Sequence, residues 1–450
     1  MLKTKTLFGW FFFAFALFIA AIAWAAPITN EECMGCHGEK GLTATGPGGK
    51  TVSLFFDTES FAKSVHSRLQ CVGCHQVDTV PHAPKLKAVS CQSCHGGLYG
   101  QYRRSVHGGG KDGKASCRDC HGYHTVQNAK TLTSAACAEC HGVAYRDYRA
   151  GIHAGSKKRA KEVAMCMDCH GSHNVLKVTD PHSPVYRLNL PRTCSRCHAN
   201  TATVAKYKLP AQDAYALYSD SIHGRATQAG VLTSANCGDC HGSHAIKPRS
   251  DRTSLIYPTN VPSACGQCHG DVETAFRKSI HGQELKKGND GAPSCASCHP
   301  PHRVQSVSAP AWVLDTIKEC GSCHNSLLET YRHTYHGKIT NLGFTRVAKC
   351  ADCHGAHDIL PGSDPHSRIS DRNLLETCRQ CHPGANKNFT EFSVHVDYKN
   401  KDARHGLYYV WLFMTVLLLG VFGFFSIHTI LWLPRSWIER IREWRRRAEK

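Results

Sequence analysis

Two long apolar stretches frame this chain, and the roughly 380 residues between them hold nothing comparable. The first stretch, Leu7 to Ala23, follows Lys3 and Lys5 and runs into "AWAAP". A charged start, an apolar centre and small residues at the end spell a secretory signal peptide over residues 1–25. A retained N-terminal anchor is the competing reading of so long a run. No cysteine stands at the cleavage site, which argues against lipidation. The second stretch, Leu407 to Leu433, carries no Asp, Glu, Lys or Arg, and His428 is its one basic side chain. At 1.5 Å per residue it extends about 40 Å, enough to cross a bilayer with tilt. Tyr408, Tyr409, Trp411 and Trp432 suit the two interfaces. Seven Lys and Arg residues follow within 435–450, which places that end in the cytoplasm. The pattern therefore predicts a transmembrane helix over 406–433 and a basic amphipathic tail over 434–450. In the tail, Ser436 and Glu439 offer a capping box, and Trp437, Ile441 and Trp444 share one face.

Between the two stretches the apolar positions come in short groups. "GVAYRDYRAGIH" and "NSLLETYRHTYH" predict helices, and "KTVSLFFDTESFAKSVH" predicts a short strand and then a helix capped by Asp57. The rest predicts loop, so the class is mainly α with extensive loop.

These groups repeat. One unit runs S-[VI]-H, a Gly/Lys-rich loop, C-x-x-C-H-G-x-H, a linker and a second C-x-x-C-H. Six copies begin at His66, His107, His153, His223, His281 and His336, and one C-x-x-C-H stands in front of them. "DPHSPVYRLNLPRTCSRCH" closes the third copy and "DPHSRISDRNLLETCRQCH" the sixth, as in a duplicated block of three. That predicts an N-terminal lobe over 26–200 with seven motifs and a C-terminal lobe over 201–405 with six.

C-x-x-C-H is the attachment motif of c-type haem: two thiols form thioethers and the histidine becomes the proximal iron ligand. The cysteine pairs are Cys33 and Cys36, Cys71 and Cys74, Cys91 and Cys94, Cys117 and Cys120, Cys137 and Cys140, Cys166 and Cys169, and Cys194 and Cys197. The second half adds Cys237 and Cys240, Cys265 and Cys268, Cys295 and Cys298, Cys320 and Cys323, Cys350 and Cys353, and Cys378 and Cys381. Their histidines are His37, His75, His95, His121, His141, His170, His198, His241, His269, His299, His324, His354 and His382. Thirteen motifs consume all 26 cysteines, leaving none for a disulfide, a thiolate nucleophile or an iron–sulfur cluster. Zinc ribbons would not need a histidine after every second cysteine. The expected cofactors are thirteen covalently bound haems. About 29 residues per haem cannot build an ordinary side-chain core, so the macrocycles are expected to be the core.

Eighteen further histidines remain. The S-x-H positions and their equivalents supply His66, His107, His153, His223, His281, His336 and His395. The positions after the first motif of each repeat supply His82, His124, His173, His244, His302 and His357. That makes one candidate distal ligand for each iron. His182, His333 and His366 could displace a neighbour, and His405 and His428 complete the count. His173 cannot serve the iron held by His170, because a distal ligand binds the opposite face. The simplest target is the iron of His198 in the same repeat. The twelve-residue segments, at about 18 Å as helix, likewise carry their histidine to another iron. Five methionines are too few for general axial ligation, and bis-histidine ligation gives lower potentials than Met/His.

A formal charge of +19 would suggest a polyanionic partner. Two propionates per haem change that: thirteen haems bring about −26, so the basic residues balance them, and no nucleic-acid partner is expected.

The motif array resembles the multihaem c-type cytochromes over about residues 30–395, most of all the membrane-anchored periplasmic subunits of quinol-oxidising respiratory complexes. The resemblance implies electron relay between a polytopic quinol-oxidising membrane subunit and periplasmic or outer-membrane cytochromes in anaerobic respiration. It implies an inner-membrane protein with its haem domain on the periplasmic side, and an electron-transfer subunit with no catalytic residue of its own. The alternative is a multihaem oxidoreductase acting on nitrite, hydroxylamine or a sulfur oxyanion at an open haem. Nitrite reductases of that kind often carry a C-x-x-C-K site, and this chain has none.

Overall fold

The computed structural model describes residues 27–109, 115–155, 163–209, 213–392, 394–402 and 405–449. The expected signal peptide lies outside the described residues. The chain forms two compact units, Met1–Arg196 with Ser243–Ile246, and Cys197–Gly242 with Lys247–Lys450. Both are built mainly from short helices and turns, and the second also contains the long C-terminal helix.

Near the N-terminus the expected strand is Thr51–Ser53, and it pairs antiparallel with Thr43–Thr45. The helix after it is Thr58–Ala62, where the Asp57 carboxylate accepts from the Glu59 and Ser60 amides at 3.0 and 3.2 Å.

The repeated helices start directly after a motif histidine: Gly96–Arg104, Gly142–Ala150, Gly270–Lys278 and Asn325–His333. Each stops three residues before the S-x-H histidine, so the expected twelve-residue rod is broken. The residue at the break is Ser105, Gly151, Ser279 or Thr334, all extended, with ψ between 162° and 166°. Where it is Ser or Thr its hydroxyl caps the turn that follows. Ser221 accepts from Gly224 at 3.0 Å, Ser279 from Gly282 at 3.1 Å and Thr334 from Gly337 at 3.1 Å.

That glycine is needed for space. A Cβ on Gly224, Gly282 or Gly337 would collide with the carbonyl oxygen of Tyr218, Phe276 or Tyr331 in the preceding helix. Gly282→Ala is therefore expected to displace the short helix Ile280–Lys286 that carries His281 and to lower the thermal midpoint of the holoprotein. The cost should be about 2 kcal/mol or more, as for other steric clashes in packed sites.

Two further devices recur. Tyrosine hydroxyls of the nine-residue helices, and of Ala214–Asp220, donate to the carbonyl two residues before a motif: Tyr102 to Ala115, Tyr148 to Ala164, Tyr218 to Ala235 and Tyr331 to Ala348, at 2.7–2.9 Å. Successive repeats are also bonded through the backbone. In the first five repeats the amide before the S-x-H histidine donates to the residue two after the next repeat's G-x-H histidine or its equivalent. These pairs are Val65 to Val126, Val106 to Val175, Ile152 to Ile246, Ile222 to Val304 and Ile280 to Ile359, at 2.8–2.9 Å.

Side-chain burial is sparse. Ten apolar residues are buried among those described, and only Ile317, Leu328 and Tyr331 form a cluster. Buried Ser, Thr and Asn outnumber them. Hydrogen-bonded turns, rather than an apolar interior, shape the polypeptide.

The C-terminal helix runs unbroken over His405–Ala448, with an apolar segment of mean hydropathy 2.3 in which no residue is buried among the described residues. It passes through Pro434, so the tail over 434–450 is a continuation of the span and not a second, capped helix. Ser436 donates its hydroxyl to the Leu433 carbonyl at 2.9 Å, and Glu439 faces Arg435 at 3.3 Å. The capping role is lost because that hydroxyl is spent inside the helix. Proline's fixed φ is itself helical and removes a single backbone bond.

Candidate haem sites

Several C-x-x-C-H segments are single helical turns, among them Cys117–His121, Cys166–His170, Cys237–His241 and Cys350–His354, while those of Cys33, Cys194 and Cys320 end longer helices. In four of them an Asp at the third position accepts from the amide before the first cysteine: Asp119 from Ser116, Asp168 from Met165, Asp239 from Asn236 and Asp352 from Lys349, at 2.6–2.8 Å. The carboxylate sits in the first turn, where the helix dipole favours it. The glycine after the motif histidine has positive φ at Gly122, Gly171, Gly242 and Gly355, from 75° to 84°. This turn breaks the helix and directs the G-x-H histidine away from the motif it follows.

Twelve of the thirteen proximal histidines face a nominated distal histidine within their own compact unit. Ring-centre separations all lie between 5.9 and 6.3 Å. The pairs are His37 with His82, His75 with His124, His95 with His66, His121 with His173, His141 with His107 and His170 with His244. In the second unit they are His241 with His302, His269 with His223, His299 with His357, His324 with His281, His354 with His395 and His382 with His336. His153 belongs to the first unit and His198 to the second, and the twelve pairs do not include them.

This spacing fits a six-coordinate metal. Two metal–nitrogen bonds of about 2 Å, plus about 1 Å from each nitrogen to its ring centre, give about 6 Å. Rings in direct contact would be closer. Where the outer nitrogens have partners, the tautomer is set. His37 and His82 donate Nδ1–H to the carbonyls of Leu54 and Ala83, each at 2.8 Å. His395 Nδ1 lies 3.0 Å from the Thr330 hydroxyl, whose own hydrogen goes to the Leu327 carbonyl at 2.9 Å. Each leaves Nε2 as the ligating nitrogen. Burial holds the imidazoles of His121, His170, His241, His299 and His354 below the usual histidine value, and the facing histidine adds to this. The neutral ring is the form that binds iron.

The pairing obeys a rule that sequence reading missed. His66, His107, His223, His281 and His336 each face the second motif of their own repeat, while His395, beyond the last motif, faces the first motif of the sixth. A histidine after a first motif faces the first motif of the preceding repeat. His173 thus lies opposite His121, not His198 as its position in the repeat suggested. The positive-φ turn at Gly171 and the bond between Val106 and Val175 carry it back to the earlier repeat. A signal for this was present: His395 follows the last motif, so at least one distal histidine had to reach backwards.

The rival histidines stand elsewhere. His182 and His366 are exposed, at 89% and 86%, and rest on Asp180 and Asp364. His333 packs against Tyr398 at 4.9 Å between ring centres. His428 lies beside Phe424 on the C-terminal helix.

None of the 26 cysteines is in a disulfide. Cysteines of consecutive motifs lie close enough to shift one another's ionisation: Cys33 and Cys71, Cys91 and Cys117, Cys265 and Cys295, and Cys320 and Cys350. Burial, with Cys194 and Cys265 nearby, pushes the thiols of Cys169 and Cys240 up to about 11. These neighbouring motifs thus adjoin within each unit.

No protein-family model matches the chain. Over 139 residues it is 29% identical to the cytochrome c-type protein NrfB of Escherichia coli, a match covering 30% of this chain and 71% of that protein.

Proposed function

We propose that this chain, a multihaem c-type cytochrome, carries thirteen covalent haems and relays electrons between a quinol-oxidising membrane partner and periplasmic or outer-membrane acceptors. The observation that carries this reading is the set of twelve facing histidine pairs, each uniting a C-x-x-C-H histidine with a second one at iron-binding distance. Each bound haem supplies one-electron transfer at iron. The thirteen cysteine pairs would hold the porphyrins by thioethers, and each facing histidine pair would supply two imidazoles to one iron, so that little would rearrange as charge moves. Twelve sites so filled would offer a substrate no open position, which favours relay over reduction of nitrite, hydroxylamine or a sulfur oxyanion.

In this reading the haem lobes cover about 26–200 and 201–405, and the helix anchors them to the inner membrane from the periplasmic side. The anchor meets the array near its end: the Trp411 ring lies 6.1 Å from that of Tyr398, three residues beyond His395. Tyr398 also packs on His333, at the end of the helix that holds Thr330 against His395. These contacts support a reading in which a haem held by His354 and His395 would exchange electrons with the membrane side.

Purification from native membranes in mild detergent tests this function. A polytopic quinol-oxidising subunit should accompany the cytochrome, and a quinol analogue should reduce its haems. Isolation as a lone protein that quinol cannot reduce would overturn the proposal. A chain ending before Gly406 should be released as soluble protein with its haem content unchanged, as assayed by fractionation and mass spectrometry.

A further inference from the structure

The twelve pairs differ in one respect that their common spacing hides, the twist between the two imidazole planes. In five pairs the planes are near parallel, at 8–19°: those of His37, His121, His170, His241 and His299. In seven they are turned by 33–62°: those of His75, His95, His141, His269, His324, His354 and His382. We infer that the distal motif sorts the haems into two electronic classes.

The sorting follows the sequence. Every near-parallel pair takes its distal histidine from the position after a first motif: His82, His173, His244, His302 and His357. Six of the seven twisted pairs take theirs from an S-x-H or T-x-H position: His66, His107, His223, His281, His336 and His395. The backbone supplies a reason. Most S-x-H histidines occupy the first turn after an extended cap residue, which fixes the ring direction, as at Ser221, Ser279 and Thr334. The other class sits in loops, free of that constraint.

One pair breaks the rule, and its surroundings explain it. His124 follows a first motif but meets His75 at 48°. The Phe56 ring stands edge-on to His124, 4.8 Å away at 71°. Phe56 is itself held by its amide bond to the His37 carbonyl at 2.7 Å and by packing against Phe61. It turns His124 out of the parallel arrangement.

The twist matters because each imidazole interacts most strongly with the iron d orbital perpendicular to its plane. Parallel planes raise one of the two dπ orbitals above the other and stabilise the ferric state. Turned planes bring the two closer, which moves the largest g value upwards and raises the potential. Axial geometry is one of the levers by which a protein tunes haem. From His121 to His324 the assigned sites then alternate between classes, apart from His198, whose class is left open. Within each unit, an electron passing between consecutive assigned sites would meet alternating higher and lower potentials.

This inference rests on histidine pairing at each iron, and electron paramagnetic resonance of the oxidised holoprotein separates the two claims. High-spin signals would mean that the pairing fails. A low-spin spectrum should resolve into a compact rhombic set and a second set with larger g maximum, the His141 site lying furthest out at 62°. Phe56→Ala should move one spin from the second set to the first and lower one potential in a redox titration, with haem attachment unchanged by mass spectrometry. Phe56→Leu, which keeps apolar bulk but removes the ring edge, should do the same. A single undivided low-spin set, or a spectrum that neither substitution alters, would overturn the inference.

Discussion

Replacing His173 by alanine leaves every haem attached and opens the iron that faces it, the one held by His121. Attachment needs only Cys117, Cys120 and His121, none of which the substitution touches. The distal imidazole is lost from a pair whose ring centres are 5.9 Å apart, and none of the other facing pairs shares it. One high-spin centre should appear, with one raised potential. Ligation by His170 and His244 should persist, because that pair stands on its own contacts. Relay through the array should fall about tenfold or more, equivalent to about 1.4 kcal/mol in barrier, since a site that changes coordination must reorganise. Resonance Raman and stopped-flow reduction read these outcomes. His182→Ala is the control. Its ring is exposed and held by Asp180, so the low-spin count should not change.

Without haem attachment the chain should fail to fold at all. Its apolar interior amounts to ten buried side chains among the described residues and one three-residue cluster, far less than a polypeptide of this length needs. The recurring hydrogen bonds position turns but contribute little net stability each. Protein made without the attachment machinery should show no cooperative thermal transition by circular dichroism and should be digested by protease at concentrations that spare the holoprotein. A cooperative, protease-resistant chain free of haem would contradict this.

Much of this was legible in the sequence because covalent chemistry fixes it locally. C-x-x-C-H needs five neighbouring residues, so the motifs and proximal histidines could be read directly. The distal nominees were legible through repetition, since His66, His107, His223, His281 and His336 recur in register. Which iron each one serves was not. That depends on bonds between residues far apart, such as Val106 to Val175 and Ile152 to Ile246, which no local pattern announces. The breaks at Ser279 and Thr334 were hidden for a different reason. Helical periodicity continues through them, and only steric contact between Gly282 or Gly337 and the preceding helix shows that the chain must turn. At Pro434 and Ser436 local cues favoured a boundary, yet the helix continues, since proline's fixed φ is helical and the Ser436 hydroxyl turns to the Leu433 carbonyl instead of capping.

Near-infrared magnetic circular dichroism of the mature protein, quantified against haem by mass spectrometry, tests the central claim most directly. Histidine pairing at every iron predicts thirteen haems per chain, all low-spin with bis-histidine charge-transfer bands, and no change on adding cyanide or nitrite at neutral pH. A stoichiometric high-spin haem that binds either anion in the unaltered protein would contradict it and turn the assignment towards an enzyme with an open iron.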